Sequence, residues 1–381
     1  MYRNIVILLL FLPLASFSQA KLNFQKADSL SFQYFQKGDW KNLIELTNEA
    51  FKQDIDSKFL HQRTGYAYFM LGDYYAAKNQ YEKAFSFDQS DKITREYLYY
   101  SSLHAGFMNS RYYAENLDDD SASKLGIRKY NPVESVDTEI NLKTNQESTR
   151  SNQIYYRAGI NTELGYRVSL YQAFSFYKQY LSNVLTQQPE YLAILKITIA
   201  PTWQVKTAYH RLFTTVGNTN YPENLGFIAL SSQLNRLNLE GNASILASAQ
   251  STTRQYGFQA RYVLPGRPNI YFASAVSEII ESTASRTIFS ESAGLKCMGN
   301  LWAEGNITLG NLKNYNTCNS LYVYNSTDPS VFRTGLTLAW FLDKHLVLSG
   351  NFSFDQQEIV NLSINKYYYQ YSFSGGIKWK L

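Results

Sequence analysis

Cysteine is nearly absent: the 381-residue chain has two, Cys297 and Cys318. Two thiols cannot build a disulfide framework. Histidine is sparse too, at four residues. The chain contains no phosphate-cradling loop, Walker motif or cluster of metal ligands, so no nucleotide, metal or other cofactor is expected. After the N-terminus no run of eighteen apolar residues occurs, which excludes a membrane-spanning helix. Charged residues make up only 18% of the chain, and its formal net charge of +5 is spread along it. With no Lys/Arg cluster, a nucleic-acid partner is not expected.

Aromatic residues are abundant instead, with 32 Tyr and 23 Phe beside a negative mean hydropathy. A barrel that shows aromatic residues to lipid and polar residues to its lumen has this profile. Residues 1–20 read as a secretory signal. Arg3 supplies the positive start, residues 5–14 the apolar core, and Ser16, Ser18 and Ala20 allow cleavage after Ser18 or Ala20. The absence of a cysteine near that site argues against a bacterial lipid anchor.

From about Ala27 the chain repeats with a period of 34 residues. Tyr34 matches Tyr68, Gly38-Asp39-Trp40 matches Gly72-Asp73-Tyr74, and Ala50-Phe51 matches Ala84-Phe85. The period and these residues resemble the tetratricopeptide repeat (TPR). Gly65 lets paired helices approach, Gly72-Asp73 makes the turn, Ala77 and Ala84 keep the packing face small, and Tyr68 and Tyr81 fill the gaps. The first repeat departs at Ser31 and Leu43, which stand where the second has Gly65 and Ala77. A third, degenerate unit runs to Leu117. Residues 21–117 are therefore expected to form TPR-like helices, either binding a protein partner on a concave face or packing against the next domain of the chain. Asp118-Asp119-Asp120 opens an expected linker, 118–132.

Residues 133–381 are expected to form a transmembrane antiparallel β-barrel of about fourteen strands. The segments lie near 133–143, 153–164, 168–181, 191–200, 202–216, 225–235, 237–250, 254–264, 269–282, 286–298, 301–314, 331–342, 345–357 and 366–381. Alternation is clear around Trp203–His210, 237–248 and 301–309, and poor in 168–181, 269–282 and 286–298. Short turns alternate with connections that are mostly longer: 144–152, 182–190, 218–224, 315–330 and 358–365. Short periplasmic turns and longer outer loops mark outer-membrane barrels, and an even strand count places both chain ends, with the helices, in the periplasm.

The last stretch, KYYYQYSFSGGIKWKL, alternates over sixteen residues. Ser374, Gly376, Trp379 and the terminal Leu381 resemble the signal that the barrel-assembly machinery reads on a strand edge, with Leu where Phe is usual. Taken together, the arrangement resembles Gram-negative outer-membrane proteins that place periplasmic TPRs before a C-terminal barrel, and among them the YaiO-like family of Bacteroidota. The repeat residues, Tyr322-Val323-Tyr324-Asn325-Ser326 and Gly375-Gly376-Ile377-Lys378-Trp379 carry the likeness. The resemblance implies an outer-membrane location, contact with outer-membrane lipid, and an unidentified periplasmic protein partner at the repeats. Larger relatives by architecture export exopolysaccharides, with far more repeats than this chain.

Strand parity places Arg157, Glu163, Lys196, Lys206, His210, Glu240, Arg261, Glu304, Arg333 and Lys378 toward the lumen. Their mixed signs fit either a pore lining or charge pairs that close the barrel. His210 is the one histidine to weigh for a lipid-directed Ser-His hydrolase, whose site must open toward the membrane; no serine partner can be picked, and no enzyme is expected. Three functions remain open: a transport or export channel with a partner-recruiting helical module, a closed barrel anchoring that module, and a barrel hydrolase. The topology also predicts free thiols, with Cys297 at the lower end of a strand and Cys318 in an outer loop.

Overall fold

The computed structural model describes residues 22–106, 110–249, 251–266, 269–282, 284–317, 321–325, 328–359 and 366–381. The signal expected at 1–20, Cys318 and Ser326 lie outside the described residues.

Among the described residues seven helices come first: α1 (Phe24–Lys37), α2 (Trp40–Lys52), α3 (Lys58–Leu71), α4 (Tyr74–Phe87), α5 (Lys92–His104), α6 (Ser110–Ala114) and α7 (Asp119–Lys124). The repeated Gly-Asp pairs set their boundaries. Gly38 and Gly72 take left-handed φ values of 69° and 77° and stop α1 and α3, while the Asp39 and Asp73 carboxylates cap α2 and α4. Such a cap contributes about 1 kcal/mol. Ala27, Ala50, Ala67, Ala77 and Ala84 are fully buried between the helices. A Cβ on Gly65 would stand 2.9 Å from the Tyr81 ring, so only glycine fits there. Ser31, at the equivalent place in the first unit, is buried and accepts a 2.8 Å hydrogen bond from Arg63. The expected linker is partly helical: α7 is capped by Asp118 and held to α5 by Ser121–Glu96 and Lys92–Asp120 contacts.

Fourteen antiparallel strands then close into a barrel. They are β1 (Tyr130–Asn145), β2 (Gln153–Leu164), β3 (Val168–Leu181), β4 (Val184–Ala200), β5 (Trp203–Val216), β6 (Thr219–Leu234), β7 (Leu237–Ser248), β8 (Thr252–Val263), β9 (Ile270–Ile280), β10 (Ser285–Met298) and β11 (Leu301–Leu309), followed, after a small hairpin of β12 (Tyr315–Asn316) and β13 (Val323–Tyr324), by β14 (Ser330–Phe341), β15 (Leu346–Ile359) and β16 (Lys366–Lys380). β16 closes the ring on β1 from Ser135↔Lys380 to Asn145↔Gln370. The outer face is apolar, with Phe174, Ile228, Ile245, Phe258, Phe272, Phe289, Trp340, Phe373 and Ile377 all exposed. Most of their neighbours in sequence point inward and are polar or small, with an apolar minority such as Phe227, Leu246 and Ile288, the reverse of a soluble sheet.

Two expected loops are strand instead. At 182–190 only Ser182 and Asn183 turn, both at positive φ, and β4 begins at Val184. At 218–224 the turn is again two residues, and β6 begins at Thr219. Pro189 and Pro222 suggested loops, but each sits where no N–H is needed. Pro189 pairs with Phe176 on β3 and falls in a gap of the β4–β5 register, and Pro222 lies on the part of β6 that extends past β7. Of the stretch expected as an outer loop, 315–330, the described residues 315–317, 321–325 and 328–330 instead line the lumen.

The helices dock under the lower rim, opposite the longest connections of the barrel. Arg236, in the β6–β7 turn, pairs with Asp73 and covers the Tyr75 ring at 5.0 Å. Burial there pushes the Tyr75 hydroxyl up to about 12. Arg167 pairs with Glu115 at 2.5 Å and stacks on Tyr112, and Arg111 of α6 pairs with Glu163 of β2. Burial, with a smaller effect from Lys296 of β10, pushes the His104 imidazole down.

Candidate functional site: the barrel lumen

The chain between β11 and β14 is the element that shapes the lumen. It turns inward after Gly310 (φ 122°), whose absent side chain avoids a clash with the Thr287 backbone oxygen. Leu312 and Tyr315 pack on Ile279 and Ile288 of the β9–β10 wall, while Leu321 and Val323 pack on the β3–β7 wall. Polar contacts hold it on several sides. Asn316 and Gln255 exchange two hydrogen bonds of 2.8 and 2.9 Å, and the Tyr322 hydroxyl donates to Glu139 at 2.6 Å. Asn325 donates to Gln188 and Glu223, and Asp328 accepts from Arg150 through both oxygens and from Tyr368. Two-point arginine–carboxylate contacts of this kind are strong and geometrically specific.

The lumen thus has two unlike parts. The β3–β7 wall holds a dry patch, with Ala173, Leu192, Ile194, Ala208, Leu212, Leu225, Phe227, Ala229 and Leu246 buried together. Beside the inward loop lies a cavity of about 630 Å³, lined by inward residues of β1–β5 as well as of β8–β11 and β14–β16. Its lining includes Asn141, Lys143, Ser292, Asn306, Asn351 and Ser374, and runs from Asp328 and Tyr368 near the upper rim to Glu304 and Thr337 in the lower part.

Most of the charges expected in the lumen meet a partner. Arg157 donates to Glu139 at 2.6 Å and covers the Tyr322 ring, so that wall and inward loop share one network. Arg333 pairs with Asp355 at 3.0 Å and covers Tyr324. Lys206 pairs with Glu240 at 3.3 Å, which also accepts from Ser231. Glu163 is taken by Arg111, Glu304 accepts from Tyr271, and Arg261 stacks on that same tyrosine at 4.7 Å. Lys196 is exposed to the lumen and Lys378 half-buried. His210 is 1% exposed and lies 3.2 Å from Glu190, which accepts from Ser175 and Gln188. It is enclosed between Leu192 and Leu225 in register, not at an opening toward the outer face. Among the described residues no group of three His, Cys, Asp or Glu could hold a metal.

Sequence parity could have found Asp137, Glu139 and Asp355, which lie on the same strand faces as the residues named. Glu190 was hidden in a stretch read as loop, and the inward loop had no such signal. Of the terminal residues, Ser374 lines the cavity, Gly376 faces inward with no room for a Cβ beside Ser349, and Trp379 and Leu381 face outward. Cys297 is a free, exposed thiol.

No protein-family profile and no curated protein sequence matches the chain. Among solved structures it is similar to the CymD monoaromatic hydrocarbon channel, at 8% identity and a TM-score of 0.42 over 65% of this chain and 88% of that one. It is also similar to a bacterial polysaccharide outer membrane secretin, at 6% identity and a TM-score of 0.40 over 65% of this chain and 98% of the other. The Yersinia enterocolitica type III secretion translocator chaperone SycD matches at 16% identity and a TM-score of 0.23, over 27% of this chain and 83% of that protein.

Proposed function

We propose that this protein is an outer-membrane transport channel whose lumen is narrowed by its own inward loop and whose TPR-like module, in the periplasm, recruits a protein partner. An apolar exterior around a polar interior is the arrangement a bilayer selects, because strands can cross lipid only as a closed barrel. The helices sit at the rim opposite the longest connections, β1–β2 and β11–β14, and short-connection rims are periplasmic in such barrels. One observation carries the transport reading: the polar cavity of about 630 Å³ beside the inward loop. The loop docks on both the β3–β7 and the β9–β10 walls and leaves a cavity beside it, so it constricts rather than fills the lumen. The conducted solute would pass neutral amides and hydroxyls as well as the paired charges.

Single-channel recording in planar bilayers tests this. The refolded wild type is expected to conduct in small steps. Asp328→Ala removes the anchor shared by Arg150 and Tyr368 and should raise the conductance or its open fraction about two-fold or more, since breaking a buried arginine–carboxylate pair costs about 3–5 kcal/mol. Silence from both proteins would overturn the channel reading and favour a closed barrel that anchors the helical module. That alternative draws on the dry patch of the lumen and on the Arg111–Glu163 pair beneath it. The hydrolase reading has little support, because His210 is enclosed in the lumen wall and the nearby Ser175 bonds Glu190.

A further inference from the structure

We propose that the floor of the lumen holds a binding site for a protonated phosphate oxyanion, either inorganic phosphate or a phosphomonoester, between α6 and the β3–β5 wall. A cavity of about 200 Å³ opens there, lined by Arg111, Arg167, Ser169, Lys196, Thr198 and Gln204 together with Tyr166 and Val168. It lies apart from the larger cavity, and the two share no lining residue.

The charges of this pocket are not balanced from within. Lys196 stands directly across the β4–β5 ladder from Lys206. The ammonium of Lys378 acts on Lys196 as well. Like charges placed opposite one another in a ladder destabilise it. Lys206 is engaged by Glu240, Arg111 by Glu163 and Arg167 by Glu115. Lys378 stands across the β1–β16 ladder from Asp137 and also acts on Glu163, whereas among the described residues Lys196 makes no ion pair and no carboxylate lines its pocket. A bound anion would relieve the lysine repulsion, and arginine, lysine and hydroxyl donors are the groups that hold oxyanions.

Gln204 narrows the choice of anion. It is 5% exposed, lines the pocket, and its side-chain oxygen is buried without a hydrogen-bond partner. A buried acceptor of this kind calls for a donor. Hydrogen phosphate or a phosphomonoester monoanion offers acceptor oxygens to Lys196, Ser169 and the guanidinium groups, and a P–OH to Gln204. Sulfate at neutral pH has no O–H, and neither has the phosphodiester of a lipid headgroup. The site therefore predicts discrimination as well as affinity.

Calorimetric titration of the full chain, refolded in detergent, with inorganic phosphate, sulfate and dimethyl phosphate tests the idea whether or not the lumen conducts. Phosphate should bind at least about tenfold more tightly than either rival, as loss of one satisfied buried hydrogen bond implies. Lys196→Ala should weaken phosphate about tenfold or more, and Lys196→Arg should retain it. Gln204→Leu should bring phosphate down to the level of sulfate, while Lys344→Ala, in the exposed β14–β15 turn, should change nothing. Equal binding of phosphate and sulfate, or no binding, would overturn the site using the unmutated chain alone. Preference for dimethyl phosphate would overturn it in favour of a lipid headgroup.

Discussion

Asp88 shows how single residues hold the helical module. Its carboxyl is held down to about 2 by Ser90, which donates through side chain and backbone, and by Lys58, whose ammonium lies 3.0 Å away. Lys58 also reaches Asp91, the cap of α5. Because the folded carboxyl titrates below its ordinary value of 3.8, its contribution is complete above that pH and is lost as pH falls through about 2. Helical circular dichroism of the full chain should therefore become easier to melt between about pH 4 and pH 2, and Asp88→Asn should be less stable at neutral pH yet lose less on acidification. Equal acid sensitivity of both proteins would sink the assignment. The charges of the lumen were legible at this scale as positions only. Period-two parity named Arg157, Arg333, Lys206 and Glu240, but which carboxylate each would meet depends on strand register, which no local pattern encodes.

Among the elements, β16 has the heaviest duty, since it pairs with β1 on one side and β15 on the other and closes the ring. Removing Trp379–Leu381 deletes its partners at Val136 and Leu346 and the backbone bond from Leu381 to Glu134. We expect the truncated chain to fail in barrel assembly while its helices still fold. Loss of the heat-dependent shift in gel mobility, with helical signal retained in the soluble fraction, is the expected result; a truncated protein that still shifts would contradict it. The alternation of β16 was plain in the sequence because its outward residues are exposed and large, and its inward ones mostly polar or small. Alternation faded in β3, β9 and β10 for the opposite reason. There the inward face is partly apolar, with Ala173, Ile279 and Ile288, because the loop after β11 packs on it or beside it. The two hairpins hidden at 182–190 and 218–224 were lost to prolines whose missing N–H costs nothing where they sit.

At the scale of the whole molecule, the helices and barrel meet through arginines placed in the turns of the lower rim. Arg236→Ala removes both the Asp73 pair and the cover over Tyr75. This charged contact is worth about 1.5–3 kcal/mol where partly buried. The expected consequence is faster protease cleavage in the segment joining α7 to β1, several-fold at low enzyme, with the barrel's gel shift unchanged. A cleavage rate equal to wild type would mean that the module is held by its other contacts, the Arg111–Glu163 and Arg167–Glu115 pairs.

Local chemistry in the sequence was enough to determine the two-part architecture. Gly-Asp pairs at a 34-residue spacing dictate helix ends, and outward aromatics at a two-residue spacing dictate strands that face an apolar medium. These signals reside within one turn or one strand, so they survive without knowledge of the fold. The inward course of the loop after β11, the division of the lumen into a dry patch and a polar cavity, and the paired state of its charges were decided only by tertiary structure. Several of the contacts behind them join residues more than a hundred positions apart, as Tyr322 joins Glu139 and Asp328 joins Arg150, and such contacts exist only once the ring has closed.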